Sequence, residues 1–300
     1  MMRMKKMLSI LAVILFAALL LMHPETMAEG VRDGLRLCAQ TVVPSLFPFF
    51  VLTSLLLHLG VDSDLQALCS PMMKPLFRMR GVCILPLLAG LLGGYPTGAR
   101  TAAQLRTQGV ITQQEAELLL GFCNNCGPGF LIGYVGAGIL GSMRTGIYLF
   151  FVHTVAALLT GILLCRICRC REVPLLHCDL PMRIVSPSTA LTASVASALT
   201  ATLNICAYVV LFRAASALVN GAVPAALLGV LEMVSGVAAV SADASGFVTA
   251  AGITAWGGVS VHCQTLSVAE GLSLRWHTLG KILHAVLSIL LALGAVQLLY

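Results

Sequence analysis

Residues 147–165, 191–211 and 282–299 contain no Asp, Glu, Lys or Arg. A helix needs about 20 mostly apolar residues to cross the hydrocarbon of a bilayer, with a range of roughly 17 to 25. Runs of this length constrain the fold more than any single motif. Charge content supports the same reading. Only 10% of the 300 residues are charged, against roughly 25% in a soluble domain. That is too little to wet a globular surface, and the mean hydropathy of +0.96 agrees. A transmembrane barrel would show segments of about ten residues with alternating polarity, whereas these runs are continuous. The sequence predicts an all-α polytopic membrane protein, with the lipid bilayer as its first partner.

Further apolar segments cover residues 7–22, 37–59, 82–92, 117–122, 130–140, 223–240 and 247–268. Two of them, 82–92 and 130–140, are too short to cross and suit half-helices or re-entrant segments. Each adjoins a polar break. The first reads Gly93, Gly94, Tyr95, Pro96, Thr97, Gly98, Ala99, and the second Cys123, Asn124, Asn125, Cys126, Gly127, Pro128, Gly129. Broken backbone is tolerated in a membrane only where protein buries it or where it lines a wet cavity. Such interruptions point to a solute or ion site.

The formal net charge is +6, but the basic residues stand in small groups at the ends of apolar runs: Arg3, Lys5 and Lys6; Lys74, Arg78 and Arg80; Arg166, Arg169, Arg171 and Arg183. That placement marks topology rather than nucleic-acid binding, and the positive-inside rule puts all three groups in the cytoplasm. Residues 25–36 then face outward. The N-terminus also has the basic start of a signal peptide. Thr26, Met27 and Ala28 make a poor cleavage site, so a retained first helix is expected. The chain divides into a first transmembrane half (1–165), a basic cytoplasmic linker (166–188) and a second transmembrane half (189–300). Each half pairs a Gly-containing polar break with another roughly 20 to 35 residues on; in the second half the third break reads Leu231, Glu232, Met233, Val234, Ser235, Gly236 and the fourth Trp256, Gly257, Gly258, Val259, Ser260, Val261, His262, Cys263, Gln264. Corresponding breaks in two halves predict pseudo-repeats with a shared site.

In the first break, paired glycines permit close contact and positive φ, and Pro96 breaks the preceding turn. Thr97 is expected to cap the next helix, whose positive end favours an electronegative group. In the second, Asn124 and Asn125 offer amide donors and acceptors that suit a ribose hydroxyl or a nucleobase edge. They equally suit hydrogen bonds between helices. Glu232 lies in an otherwise apolar run, where a carboxylate marks a functional position by default. It suits a coupling proton, a Na⁺ ligand, or a pair with Arg213 or His262. Ser260, His262 and Gln264 alternate, so an extended segment would put them on one face, whereas a helix would spread them.

No hydrolase elbow, HExxH or GxxxxGK[ST] pattern occurs, so an enzyme is not expected. The eleven cysteines lie mostly in apolar segments and form no disulfide framework. Cys165, Cys168 and Cys170 with His177 and Cys178 have the chemistry of zinc ligands. Their irregular spacing at a basic boundary suits palmitoylation better. No cofactor is expected beyond a coupling cation, H⁺ or Na⁺.

Residues 43–52, 93–99, Asn124-Asn125-x-Gly127-Pro128, Leu231-Glu232 and Trp256-Gly257-Gly258-x-Ser260-x-His262-x-Gln264 occur here in one order. In that combination the chain resembles the sporulation integral membrane protein YlbJ group of the nucleoside-recognition (Gate) membrane proteins. The resemblance implies a bacterial inner-membrane protein, multi-pass, with a role in spore formation. It also implies kinship with the core of concentrative nucleoside transporters, with two repeats and re-entrant hairpins. The leading expectation is a transporter or gate for a small polar, nucleoside-like solute. Its site would be built from Gly94, Tyr95, Thr97, Asn124, Asn125, Gly127, Glu232, Ser260, His262 and Gln264. The rival is a non-transporting scaffold that gathers other membrane proteins, or copies of itself, during spore assembly.

Overall fold

The computed structural model describes residues 2–59, 62–168, 186–219 and 221–299. Every regular element among them is helical. The α-helices are α1 (Met2–Met22), α2 (Pro24–Leu37), α3 (Val43–His58), α4 (Asp62–Phe77), α5 (Ile84–Gly93), α6 (Thr97–Thr107), α7 (Gln113–Leu119), α8 (Met143–Ile167), α9 (Pro187–Ala217), α10 (Ala225–Leu231), α11 (Met233–Ala238), α12 (Ala244–Trp256), α13 (Gly258–Val268) and α14 (Arg275–Leu299). Wider, π-helical turns occupy Cys38–Val42 and Gly129–Ile139.

Helices α8, α9 and α14 are long and apolar enough to cross a membrane, as is Ala244–Val268, which α12 and α13 form together. Two further spans arise if bent pairs count as one each: Ile14–Met22 with Pro24–Gln40, bent by 102°, and Leu65–Phe77 with Gly81–Gly93, bent by 80°. Discontinuous helices are therefore a property of the fold. The short runs expected to be half-helices form α5 and the π-helical Gly129–Ile139. The latter packs on α8 through paired glycines: a Cβ on Gly136 would stand 2.3 Å from the Gly146 Cα.

Local chemistry sets the boundaries. Ser142 and Ser186 cap α8 and α9, the latter with Pro187 in its first turn. Asp243 caps α12 by accepting the Gly246 N–H. Such side chains satisfy amides that have no partner inside the helix. Gly257, at φ +86°, separates α12 from α13.

The two halves interlock. Helix α9 packs along α2 and α3, α13 lies against α9 and α6, and α14 lies between α8 and α12. Phe77 stacks on Phe122 at 5.1 Å in one apolar core, and Phe50, Ile205 and Val209 fill another. Leu68, Phe151, Leu203, Leu227 and Leu290 project outward. These large apolar side chains would be a liability in water and match the hydrocarbon of a bilayer.

At the α4–α5 bend, Arg80 donates to Glu115, whose carboxylate also accepts the Thr112 N–H in a capping box on α7. Burial pushes the Glu115 carboxyl up, but the Arg80 and Thr112 hydrogen bonds outweigh it and hold it below its usual value. A carboxyl lowered in the folded state stabilises the protein above its unfolded value of about 4.3. That stabilisation is lost as pH falls through the folded value. The melting temperature of the wild type in detergent is expected to drop below about pH 4. Glu115→Gln should melt lower at neutral pH and lose part of that drop. An unchanged acid limb would reject this role.

Candidate functional site

All four helix breaks meet. Helix α5 stops at Gly93, Gly94 turns at φ +84°, and Thr97 opens α6 with its N–H on the Gly94 carbonyl, 2.8 Å away. The second break crosses this turn so closely that only glycine fits. A Cβ on Gly90 would stand 1.7 Å from the Cys123 carbonyl oxygen, and one on Gly98 2.0 Å from it. A Cβ on Gly94 would lie 3.2 Å from the Gly127 nitrogen. The second break then touches the third, where Cys126 Sγ stands 3.6 Å from Met233 Sδ. The third touches the fourth, since a Cβ on Gly258 would sit 3.0 Å from the Met233 nitrogen. The ring closes through Tyr95, which lies against Gly257 and donates its hydroxyl to the Thr254 carbonyl at 2.9 Å.

Polar groups line this ring, and several have unused hydrogen-bonding capacity. Asn124 Nδ2 donates to Thr265 Oγ1 at 2.7 Å and Asn125 Nδ2 to the Phe122 carbonyl at 2.9 Å, yet both Oδ1 atoms are buried without a partner. Thr97 Oγ1 and Ser260 Oγ are in the same condition. Buried polar atoms are nearly always paired, and each orphan calls for an explanation. Four of these unpartnered atoms come from three of the meeting breaks.

Three expectations are corrected or narrowed. Thr97 does not cap α6; it is the helix's first residue, and its hydroxyl is one of the orphans. Residues 260–264 do not form an extended strand-like edge, because the backbone closes i→i+4 bonds in α13. Ser260 and Gln264 therefore share the buried face, while His262 turns toward Trp256, with ring centroids 4.4 Å apart. Glu232 is not a free carboxylate. It accepts the Val234 and Ser235 N–H groups at 2.9 and 2.7 Å and the Ser235 hydroxyl at 2.7 Å, which caps α11. Of its two alternative partners it takes Arg213, at 3.7 Å. A cavity of about 160 Å³ lined by Glu29, Asp33, Arg213 and Ser235 adjoins that pair. Of the possible zinc ligands, Cys170, His177 and Cys178 lie outside the described residues, where Arg169, Arg171 and Arg183 also fall.

One helix was absent from the sequence reading of the site. His277, Lys281, His284 and Ser288 on α14 are all buried. Lys281 Nζ donates to Tyr95 Oη at 2.5 Å and to the Asn124 carbonyl at 3.0 Å, so it joins the first break to the second. His284 Nε2 donates to the His153 carbonyl at 3.0 Å, and His153 Nε2 accepts the Cys126 N–H at 3.1 Å. The signal was present as spacing: intervals of four, three and four residues place these side chains on one helical face.

The crossing helices, the broken spans and the apolar exterior define a polytopic α-helical membrane protein whose helix breaks converge on one polar centre. The chain belongs to the Gate family, described as nucleoside recognition, whose profile matches residues 39–218. It is 36% identical over 145 residues to the sporulation integral membrane protein YlbJ of Bacillus subtilis (strain 168). That match covers 48% of this chain and 36% of the relative's length. No solved structure matches.

Proposed function

We propose that the ring of breaks is the solute site of a membrane transporter or gate, and that the solute is small, polar and nucleoside-like. The observation that carries this reading is the set of buried, unpartnered atoms at the meeting point: Oδ1 of Asn124 and Asn125 and the hydroxyls of Thr97 and Ser260. Two amide oxygens accept, and two hydroxyls both donate and accept. Ribose hydroxyls and a nucleobase edge present the complementary groups. Gln264 completes the set from the face it shares with Ser260, and the N-terminus of α6 favours the electronegative side of the solute. The family's description supports a nucleoside-like ligand, and the relative's name supports a role in sporulation.

The architecture supports one mechanism for this reading. The ring closes over the solute, and one half of the chain rocks against the other to open it to either side, as repeat-built transporters do. The role is non-enzymatic. The protein sits in the bacterial inner membrane with its N-terminus and basic linker in the cytoplasm, as the positive-inside rule requires. A coupling cation, H⁺ or Na⁺, belongs to this reading.

Uptake of radiolabelled uridine and adenosine into proteoliposomes tests it. Leaving one buried polar partner unmatched costs about 1–3 kcal/mol, or roughly 5- to 150-fold. Asn124→Ala and Asn125→Ala are each expected to lower uptake by that factor. If neither nucleoside binds, and both variants behave as wild type in supporting spore formation, the transport reading is wrong. A stable complex with other membrane proteins would then favour the scaffold.

A further inference from the structure

Lys281 is 1% exposed, and among the described residues no carboxylate oxygen lies within 4.0 Å of its nitrogen. An ammonium in such a place must be held by neutral groups alone. Its three donors have three takers. Tyr95 Oη accepts one, because its own proton goes to the Thr254 carbonyl. The Asn124 carbonyl accepts the second. The third faces His284 Nδ1 at 3.4 Å.

The His284 tautomer follows from its other nitrogen. Nε2 stands 3.0 Å from the His153 carbonyl, which can only accept, so Nε2 carries a proton. In the neutral ring Nδ1 is then a bare lone pair aimed at Lys281. A proton on Nδ1 as well would point at the ammonium. The pair therefore holds one proton or none between Nζ and Nδ1. When that proton leaves, the amine keeps two donors for three acceptors, and the bonds to the Tyr95 hydroxyl and the Asn124 carbonyl lose the charge that strengthened them.

We propose that Lys281 and His284 form a proton-binding site whose occupancy latches the ring of breaks shut. The proton enters as H⁺ from water and leaves as H⁺, with no other group transferred. As a coupling device this rests on the transport reading; as a proton site it does not. Other titratable groups face Lys281: Tyr95 from the first break, the free thiols Cys123 and Cys126 from the second, His153 from α8, His262 from α13, and His277 on its own helix. Glu117 on α7 is engaged by the Ser273 N–H and Glu115 by Arg80.

The test needs no solute. Cys126 is 2% exposed and lies inside the ring. The full chain in liposomes is treated with N-ethylmaleimide between pH 6 and pH 10, and labelling at Cys126 is read by mass spectrometry. Each rate is divided by that of the same thiol in detergent-unfolded chain at the same pH, which removes the pH dependence of a free thiol's reaction with the reagent. The wild-type ratio is expected to rise at least tenfold as the ammonium is lost. Lys281→Met should be high throughout, and Lys281→Arg, which keeps its charge, low throughout. Tyr95→Phe removes one acceptor while keeping the ring, and should be high throughout even if a lysine variant fails to fold. A flat wild-type ratio overturns the proposal, as does a rise that persists unchanged in the variants that fold. Nucleoside uptake with a flat ratio would leave the transport reading standing without this proton site.

Discussion

Gly90→Ala is expected to yield little or no folded protein, whereas Gly133→Ala folds normally. The first methyl group would sit 1.7 Å from the Cys123 carbonyl oxygen, a backbone atom fixed in the second break. No side chain can swing aside to admit it. Overpacking costs about 1–3 kcal/mol where neighbours adjust and more where only backbone can move. Native stability is about 5–15 kcal/mol, so this one carbon consumes a large share of it. Nothing lies within 4 Å of a Cβ at Gly133. Monodisperse yield and melting temperature in detergent distinguish the two. Normal yield of the Gly90 variant would mean that the first two breaks are not locked together.

Glu232→Ala is expected to destabilise the protein by about 2–4 kcal/mol, the combined scale of a lost helix cap and a broken, largely buried charge pair. The carboxylate accepts from two amides and a hydroxyl and faces Arg213. Glu232→Gln should fall between wild type and alanine, because it keeps an acceptor for α11 but not the charge. Ser235→Ala should cost about 1 kcal/mol, the net value of one hydrogen bond. Thermal unfolding of the four proteins orders them. An alanine variant as stable as wild type would return Glu232 to the role of a free functional carboxylate.

The spanning helices were legible because lipid imposes a simple rule on composition. Residues 147–165 and 191–211 lie inside α8 and α9, and each helix runs on past its apolar run because capping serines, not hydropathy, decide where it starts. The breaks were legible too, from Gly93, Gly94 and Pro96 and from Asn124, Asn125, Gly127 and Pro128. Their mutual contact was not. The approach of Cys123 to Gly90 and Gly98, and of Gly258 to Met233, joins residues far apart in the chain, and no local pattern encodes it. The state of Glu232 was half legible: Arg213 was one of two candidate partners, but the cap on α11 depends on where the backbone turns. Lys281 was missed because it stands at the edge of the apolar run 282–299. There it reads as a flanking charge unless helical phase is followed from His277 to Ser288.

That same phase limits how the last helix can move. The inward side of α14 carries a lysine amine, two imidazoles and a hydroxyl, while Ile282, Val286, Leu290 and Leu293 stand on the outward side. A quarter turn about the helix axis would swing the whole polar row toward hydrocarbon at once. Sliding by one turn, about 5.4 Å, would carry Gly280 away from Gly121, where a Cβ would stand 2.1 Å from the carbonyl oxygen, and bring a residue with a side chain to that contact. Helix α14 is thus pinned against both motions, by its polar row against rotation and by one glycine contact against travel.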